Sequence, residues 1–209
     1  LSFARTVEEY ASGFMVTVPY YNKPSQEGIY QHYKAVAEAS SLPILLYNVP
    51  GRTASNMTAE TTLRLAHNVD NIIGIKEAAS DVEQFTEILS KRPDNFLVIS
   101  GDDLMTLPMV ACGGDGVISV VANSCPKGFS ELTHQALNNN LEEARKLHYK
   151  YAPLISLLFS EGNPAGVKAA LKVLGVCDDT VRLPLMKVSD STFQGIKSSI
   201  SELKGLDLA

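Results

Sequence analysis

The 209-residue sequence has little that would tie it to a membrane, a metal or a nucleic acid. No apolar run approaches the roughly 18 residues a membrane helix needs, and no signal peptide is visible at the N-terminus. Lys and Arg number 18 against 23 Asp and Glu, a net charge of −5. Without a basic excess to neutralise phosphates, nucleic acid is not an expected partner. Cysteine is sparse: Cys112, Cys125 and Cys177 are far apart, odd in number and form no CxxC pair. That argues against a disulfide framework and fits a reducing, cytoplasmic setting. His32, His67, His134 and His148 fall in helical-looking stretches without a ligand spacing such as HExxH, so no metal site is expected. The first residue is Leu1 rather than Met, so the true start is expected to lie upstream.

What is present is the composition of a packed domain, 45% apolar and 20% charged. Five short runs rich in β-branched or aromatic residues stand out: Phe14–Val18, Pro43–Tyr47, Ile72–Ile75, Phe96–Ser100 and Gly116–Val121. They read as parallel strands, apolar on both faces. Between them lie amphipathic stretches at about 25–40, 58–68, 80–91 and 102–112, with Ser25, Thr58, Ser80 and Asp102 as candidate N-caps. Strand starts fall 29, 29, 24 and 20 residues apart, the beat of βα units. Beyond the fifth strand the pattern is helical, at about 126–138, 141–159, 164–174 and 189–203.

Two architectures accommodate five βα units and a helical tail. One is an open doubly wound sheet, which as a nucleotide-binding fold would carry GxGxxG or a P-loop after a strand; neither occurs. The other is a (β/α)8 barrel lacking its first three units. A barrel takes about 250 residues, and three further units would add about 75.

Barrel enzymes place their chemistry at the C-terminal ends of the strands. The first strand is followed by Tyr20 and Tyr21, the second ends at Tyr47 with Arg52 just beyond, and the third ends in Lys76. Lys76 directly follows a run that should be buried, and desolvation favours its neutral amine, the form that attacks a ketone to give a Schiff base. Nearby tyrosines can shuttle the protons this requires, and an arginine fork matches a carboxylate. Each residue alone has an ordinary reading as a solvated charge or a packed ring. Their joint placement suggests a keto-acid-binding lysine aldolase or synthase.

The sequence resembles the dihydrodipicolinate synthase (4-hydroxy-tetrahydrodipicolinate synthase) family over nearly its whole length. The likeness lies in Pro19-Tyr-Tyr-Asn-Lys-Pro-Ser-Gln-Glu-Gly28, Leu46-Tyr-Asn-Val-Pro-Gly-Arg-Thr53, Gly74-Ile-Lys-Glu-Ala78, Ser100-Gly-Asp-Asp103, Gly114-Asp-Gly-Val-Ile-Ser-Val120, Glu161-Gly-Asn-Pro-Ala-Gly-Val-Lys168 and Arg182-Leu-Pro184. The resemblance implies a TIM barrel lacking roughly its first three βα units here, with a C-terminal helical extension. Residues 1–138 would then be barrel units four to eight and residues 139–209 the extension. It implies a lyase that condenses pyruvate with L-aspartate 4-semialdehyde on the route to diaminopimelate and lysine. The only cofactor-like species would be the covalent lysine imine with pyruvate.

By the same resemblance Lys76 is the Schiff-base lysine, Tyr47 the proton-transferring tyrosine, and Tyr21 a relay tyrosine supplied across a subunit interface. Arg52 would hold the semialdehyde carboxylate. The main chain at Gly101 and Ile118 would line the pyruvate site, and Tyr20 would lie near the dimer contact and the inhibitor cleft. A homotetramer built as a dimer of dimers is implied. The family's Gly-Thr-Thr-Gly-Glu motif does not occur in these 209 residues. N-acetylneuraminate lyase and keto-deoxy-sugar aldolases share the lysine and tyrosine, but Arg52-Thr53 favours the synthase. A non-catalytic barrel acting as a ligand sensor is a further alternative, and the intact Lys76, Tyr47, Tyr21 and Arg52 count against it.

Overall fold

The computed structural model describes residues 6 and 8–203, in two compact units that part between Ile118 and Ser119. The first contains β1 (Phe14–Thr17), α1 (Gln26–Glu38), β2 (Ile44–Asn48), α2 (Ala59–Asn68), β3 (Ile72–Glu77), α3 (Val82–Lys91), β4 (Leu97–Ser100), α4 (Thr106–Ala111) and β5 (Gly116–Val117). All five strands are parallel and lie side by side in chain order. A doubly wound sheet reverses its order at a switch point; a sheet that adds each strand beside the last is the sequence of a barrel wall.

The helices begin where side chains satisfy their first free N–H groups. Ser25 accepts from the Gly28 N–H, Thr58 from that of Thr61 and Asp81 from that of Gln84. The cap of α3 is therefore Asp81, not Ser80. Ser80 sits at φ +56° and donates its hydroxyl to Asp102 at 2.8 Å. Nor does Asp102 cap a helix: it accepts from the Leu104 N–H in a local turn, and α4 starts later, at Thr106.

Buried Ile44, Leu46, Ile75 and Val98 pack with Ile29, Tyr33, Leu65, Phe85 and Ile88 of the helices to form one core. The strands are not buried on both faces, as their sequences suggest. On the other face Met15, Ile73 and Leu97 are 48%, 38% and 40% exposed. β3 carries a bulge: Ile44 pairs with Ile72 but Leu45 with Gly74, leaving Ile73 as an extra residue. Gly74 is required there, since a Cβ would stand 2.6 Å from the Leu97 carbonyl oxygen.

The second unit holds α5 (Pro126–Leu137), α6 (Leu141–Ser160), α7 (Ala165–Val173) and α8 (Asp190–Glu202). Its core includes Phe129, Leu132, Tyr151, Leu154, Ile155, Ile196 and Ile200. The compact units part at 118/119 and not at the 138/139 expected for barrel and extension, since α5 packs on α6 inside this unit. Parts of both expected segments, residues 1–5, 7 and 204–209, lie outside the described residues. Among the described residues no helix is long and apolar enough to cross a membrane, and no three His, Cys, Asp or Glu side chains converge as metal ligands would.

Candidate active site

The ladder sets Tyr47 of β2 directly beside Lys76 of β3, and places Thr17 and Ile99 in the same register on either side. The Lys76 Nζ lies 4.2 Å from the centroid of the Tyr47 ring, within range of a cation–π contact. Both side chains are half-buried. Burial lowers the Lys76 pKa; the Arg52 charge pushes the same way and the Asp103 charge opposes. Burial raises the Tyr47 pKa against the pull of Arg52. The amine is therefore easier to obtain neutral and the phenol holds its proton, which suits a nucleophile beside a proton donor.

Arg52 sits in a short helical turn, Pro50–Thr53, that leaves β2 immediately after the tyrosine. Ala54 closes the turn at φ +55° by donating its N–H to the Pro50 carbonyl. Buried Thr53 anchors it from below, donating its hydroxyl to the Ser55 carbonyl at 2.8 Å. This leaves the Arg52 side chain exposed at the mouth.

Gly101, just past β4, donates its N–H to the Glu77 carbonyl at 2.7 Å. Its bare Cα leaves room for the lysine: a Cβ would stand 3.0 Å from Lys76 Cγ and 3.1 Å from Cε. Ile118 continues the ladder beyond β5 through its N–H to the Ser100 carbonyl at 2.9 Å, with its side chain 38% exposed. The fifth strand is shorter than the expected Gly116–Val121. The next segment turns away into a 3-10 turn, Val121–Asn123, tied by the Ala122 N–H to Ser119 Oγ.

Lys76, Tyr47, Arg52 and Gly101 thus come together. Tyr20 and Tyr21 do not join them in this chain. They follow β1 in an exposed loop, 71% and 88% accessible, with Tyr21 at φ +67°.

The sequence reading missed two features. Asp103 is 2% exposed and its charge acts on Lys76. A polar cluster also lies behind the sheet. Asn48 and Glu77, the residues after Tyr47 and Lys76, pair in the ladder and turn to the helix side, where they are 0% and 1% exposed. Asn48 Nδ2 donates to both Glu77 oxygens at 3.1 Å, Gln84 Nε2 donates to Oε2 at 2.9 Å and the Ala79 N–H to Oε1 at 2.7 Å. Strand alternation could have found the cluster: side chains adjacent to Tyr47 and Lys76 must face the helices.

The dihydrodipicolinate synthetase family model matches residues 2–203. The 4-hydroxy-tetrahydrodipicolinate synthase of Phocaeicola vulgatus is 55% identical over 190 residues, covering 91% of this chain and 64% of that protein. A dihydrodipicolinate synthase structure from Thermotoga maritima superposes with a TM-score of 0.94 at 43% identity, over 96% of this chain and 70% of that one. One from Acinetobacter baumannii, chloride-inhibited and complexed with pyruvate, gives 0.92 at 39% identity, over 96% and 69%. The chain spans less than two thirds of the length of the curated relatives it matches.

Proposed function

The chain belongs to the dihydrodipicolinate synthetase family, and on that premise we propose that it carries the Schiff-base half of a 4-hydroxy-tetrahydrodipicolinate synthase. Its five strands are read as units four to eight of a (β/α)8 barrel lacking its first three, and its later helices as the C-terminal extension. The neutral Lys76 amine adds to the keto carbon of pyruvate, and loss of water gives the imine. Loss of a methyl proton makes the enamine, whose carbon attacks the aldehyde of L-aspartate 4-semialdehyde. The substrate's own amine then displaces Lys76 and closes the ring. No cofactor beyond this covalent imine is needed.

Tyr47 donates and recovers the protons that leave and reach oxygen in these steps. Arg52 takes the semialdehyde carboxylate in a bidentate pair, and the main chain at Gly101 and Ile118 lines the pyruvate end. Tyr21 serves the neighbouring subunit's site and Tyr20 lies at the dimer contact, in a cytoplasmic tetramer made of two dimers. The high exposure of both tyrosines in the single chain supports a role outside it.

The observation that carries the reading is the Lys76 Nζ, depressed in basicity by burial and 4.2 Å from the Tyr47 ring at a strand's C-terminal end. Full-length protein treated with pyruvate and borohydride should gain the reduced adduct on the peptide containing Lys76. An adduct on another lysine, or none in active protein, would overturn the assignment. Faster cleavage of sialic acid than condensation of semialdehyde would replace the synthase with a lyase of the same superfamily.

A further inference from the structure

Glu77 has no role in the chemistry above, yet it is attached to the residue that does the most. Among the described residues, the hydrogen bonds to its carboxylate are donations from Asn48, Gln84 and the Ala79 amide. The two amide side chains are themselves locked in the orientation that presents N–H to Glu77. The Met57 N–H donates to Asn48 Oδ1 at 3.0 Å, and Asn56 Nδ2 donates to Gln84 Oε1 at 2.8 Å. Burial raises the Glu77 pKa against the pull of these donors, yet a protonated carboxyl would turn an O–H onto one of the N–H groups, so the donor geometry favours the ionised form.

Such a carboxylate, at 1% exposure and with no cation paired to it among the described residues, is a poor way to gain stability. What it does gain is geometry. It ties β2 (through Asn48), α3 (through Gln84) and the chain just past β3 (through Ala79) to one rigid group. The backbone is fixed at the same point: the Ala78 N–H donates to the Asn48 carbonyl and the Gly101 N–H to the Glu77 carbonyl. The strand end that carries Lys76 on one face is thereby held on the other, and a rotation there would move the Nζ away from Tyr47.

We propose that Glu77 is a positioning residue: its carboxylate, gripped behind the sheet by Asn48, Gln84 and the Ala79 amide, fixes the setting of the two strand ends that present Lys76 and Tyr47 to the substrate. The inference rests on the imine chemistry assigned to Lys76. Glu77→Gln keeps the shape but puts an N–H₂ group where only acceptors fit. Glu77→Gln with Gln84→Glu reverses donor and acceptor and restores the bond. Gln84→Leu removes one grip only.

The experiment follows rapid borohydride trapping of the pyruvate imine in full-length protein, with the melting temperature measured in parallel. Glu77→Gln should slow trapping at saturating pyruvate about tenfold or more, as a displacement of the reacting group does. The pyruvate concentration for half-saturation should move far less. The double variant should recover most of the rate, and Gln84→Leu should show a smaller loss of the same kind. A folded Glu77→Gln that traps at the wild-type rate overturns the proposal. So does a double variant that melts like wild type yet traps no faster than the single. If Glu77→Gln does not fold, Gln84→Leu decides: a wild-type rate there overturns it. Wild-type protein that forms no imine overturns the chemistry of Lys76 and this inference with it, whereas normal wild-type trapping with indifferent variants overturns this inference alone.

Discussion

Replacing Gly101 by alanine adds one methyl group against the Lys76 stem. The new carbon would stand 2.8 Å from Ala78 Cβ, 3.0 Å from Lys76 Cγ and 3.1 Å from Lys76 Cε. Carbon atoms pack at about 3.5–4.0 Å, so each contact is about 0.5–1 Å too short. Ala78 cannot retreat, because its N–H is bonded to the Asn48 carbonyl at 2.8 Å. The lysine stem can, and it carries the amine with it.

Overpacking of this kind costs about 1–3 kcal/mol, and a yielding side chain puts the loss near the lower end. A shift of about 1 Å in the reacting group can cost about a hundredfold in rate. Gly101→Ala should therefore unfold at slightly lower urea while trapping the pyruvate imine about 10- to 100-fold more slowly. Adding Ala78→Gly relieves the shortest contact but neither contact to the lysine, so stability should recover more than rate. Chemical denaturation and borohydride trapping on the same preparations separate the two. A Gly101→Ala protein that traps at the wild-type rate would refute the idea that this glycine holds space for Lys76.

The charges near Lys76 give a signed pair of tests: Arg52→Gln removes a group that lowers its pKa and should move the rise of imine formation to higher pH, while Asp103→Asn removes one that raises it and should move the rise lower. Trapping rates across a pH series check both, and equal or reversed shifts would contradict the assignment. Tyr21→Phe and Tyr47→Phe should each be severely impaired, but after subunit exchange about a quarter of all sites should recover if Tyr21 is shared between partners of a dimer. Activity after mixing, with hybrids confirmed by native mass spectrometry, decides it. Asp81→Ala should destabilise the protein by about 1 kcal/mol through the lost cap of α3, read from urea denaturation.

The strands and their order were legible because runs such as Ile44-Leu-Leu and Phe96-Leu-Val-Ile are short, wholly apolar and separated by amphipathic stretches at the spacing of βα units. Lys76, Tyr47 and Arg52 were legible as site candidates because each follows such a run. The end of β5 was not, since Val120 and Val121 look like strand, but the Ser119 hydroxyl offers the next turn a local bond that draws the chain out of the ladder. Ser80 and Asp81 are equally good caps on paper, and only the backbone conformation of Ser80 gives the role to its neighbour. Glu77 was passed over because a glutamate reads as surface until its donors, contributed by residues 48, 79 and 84, are brought together.

The bulge at Ile73 acts as a parity switch. Upstream of it β3 counts in one phase; downstream every side chain has changed sides. The apolar residues around it cannot say which phase is right, because Ile72, Ile73 and Ile75 would satisfy either face. Deleting the extra residue would only straighten the strand and keep Lys76 beside Tyr47; a one-residue slip of the pairing downstream of it would instead turn the Lys76 ammonium to the helix side, toward the N–H groups of Asn48 and Gln84, which have no lone pair to offer a cation. It would also leave the Glu77 carboxylate beside Tyr47, where no nucleophile would remain. The choice of frame therefore falls to two adjacent residues of opposite charge, each acceptable on one side of the sheet and intolerable on the other.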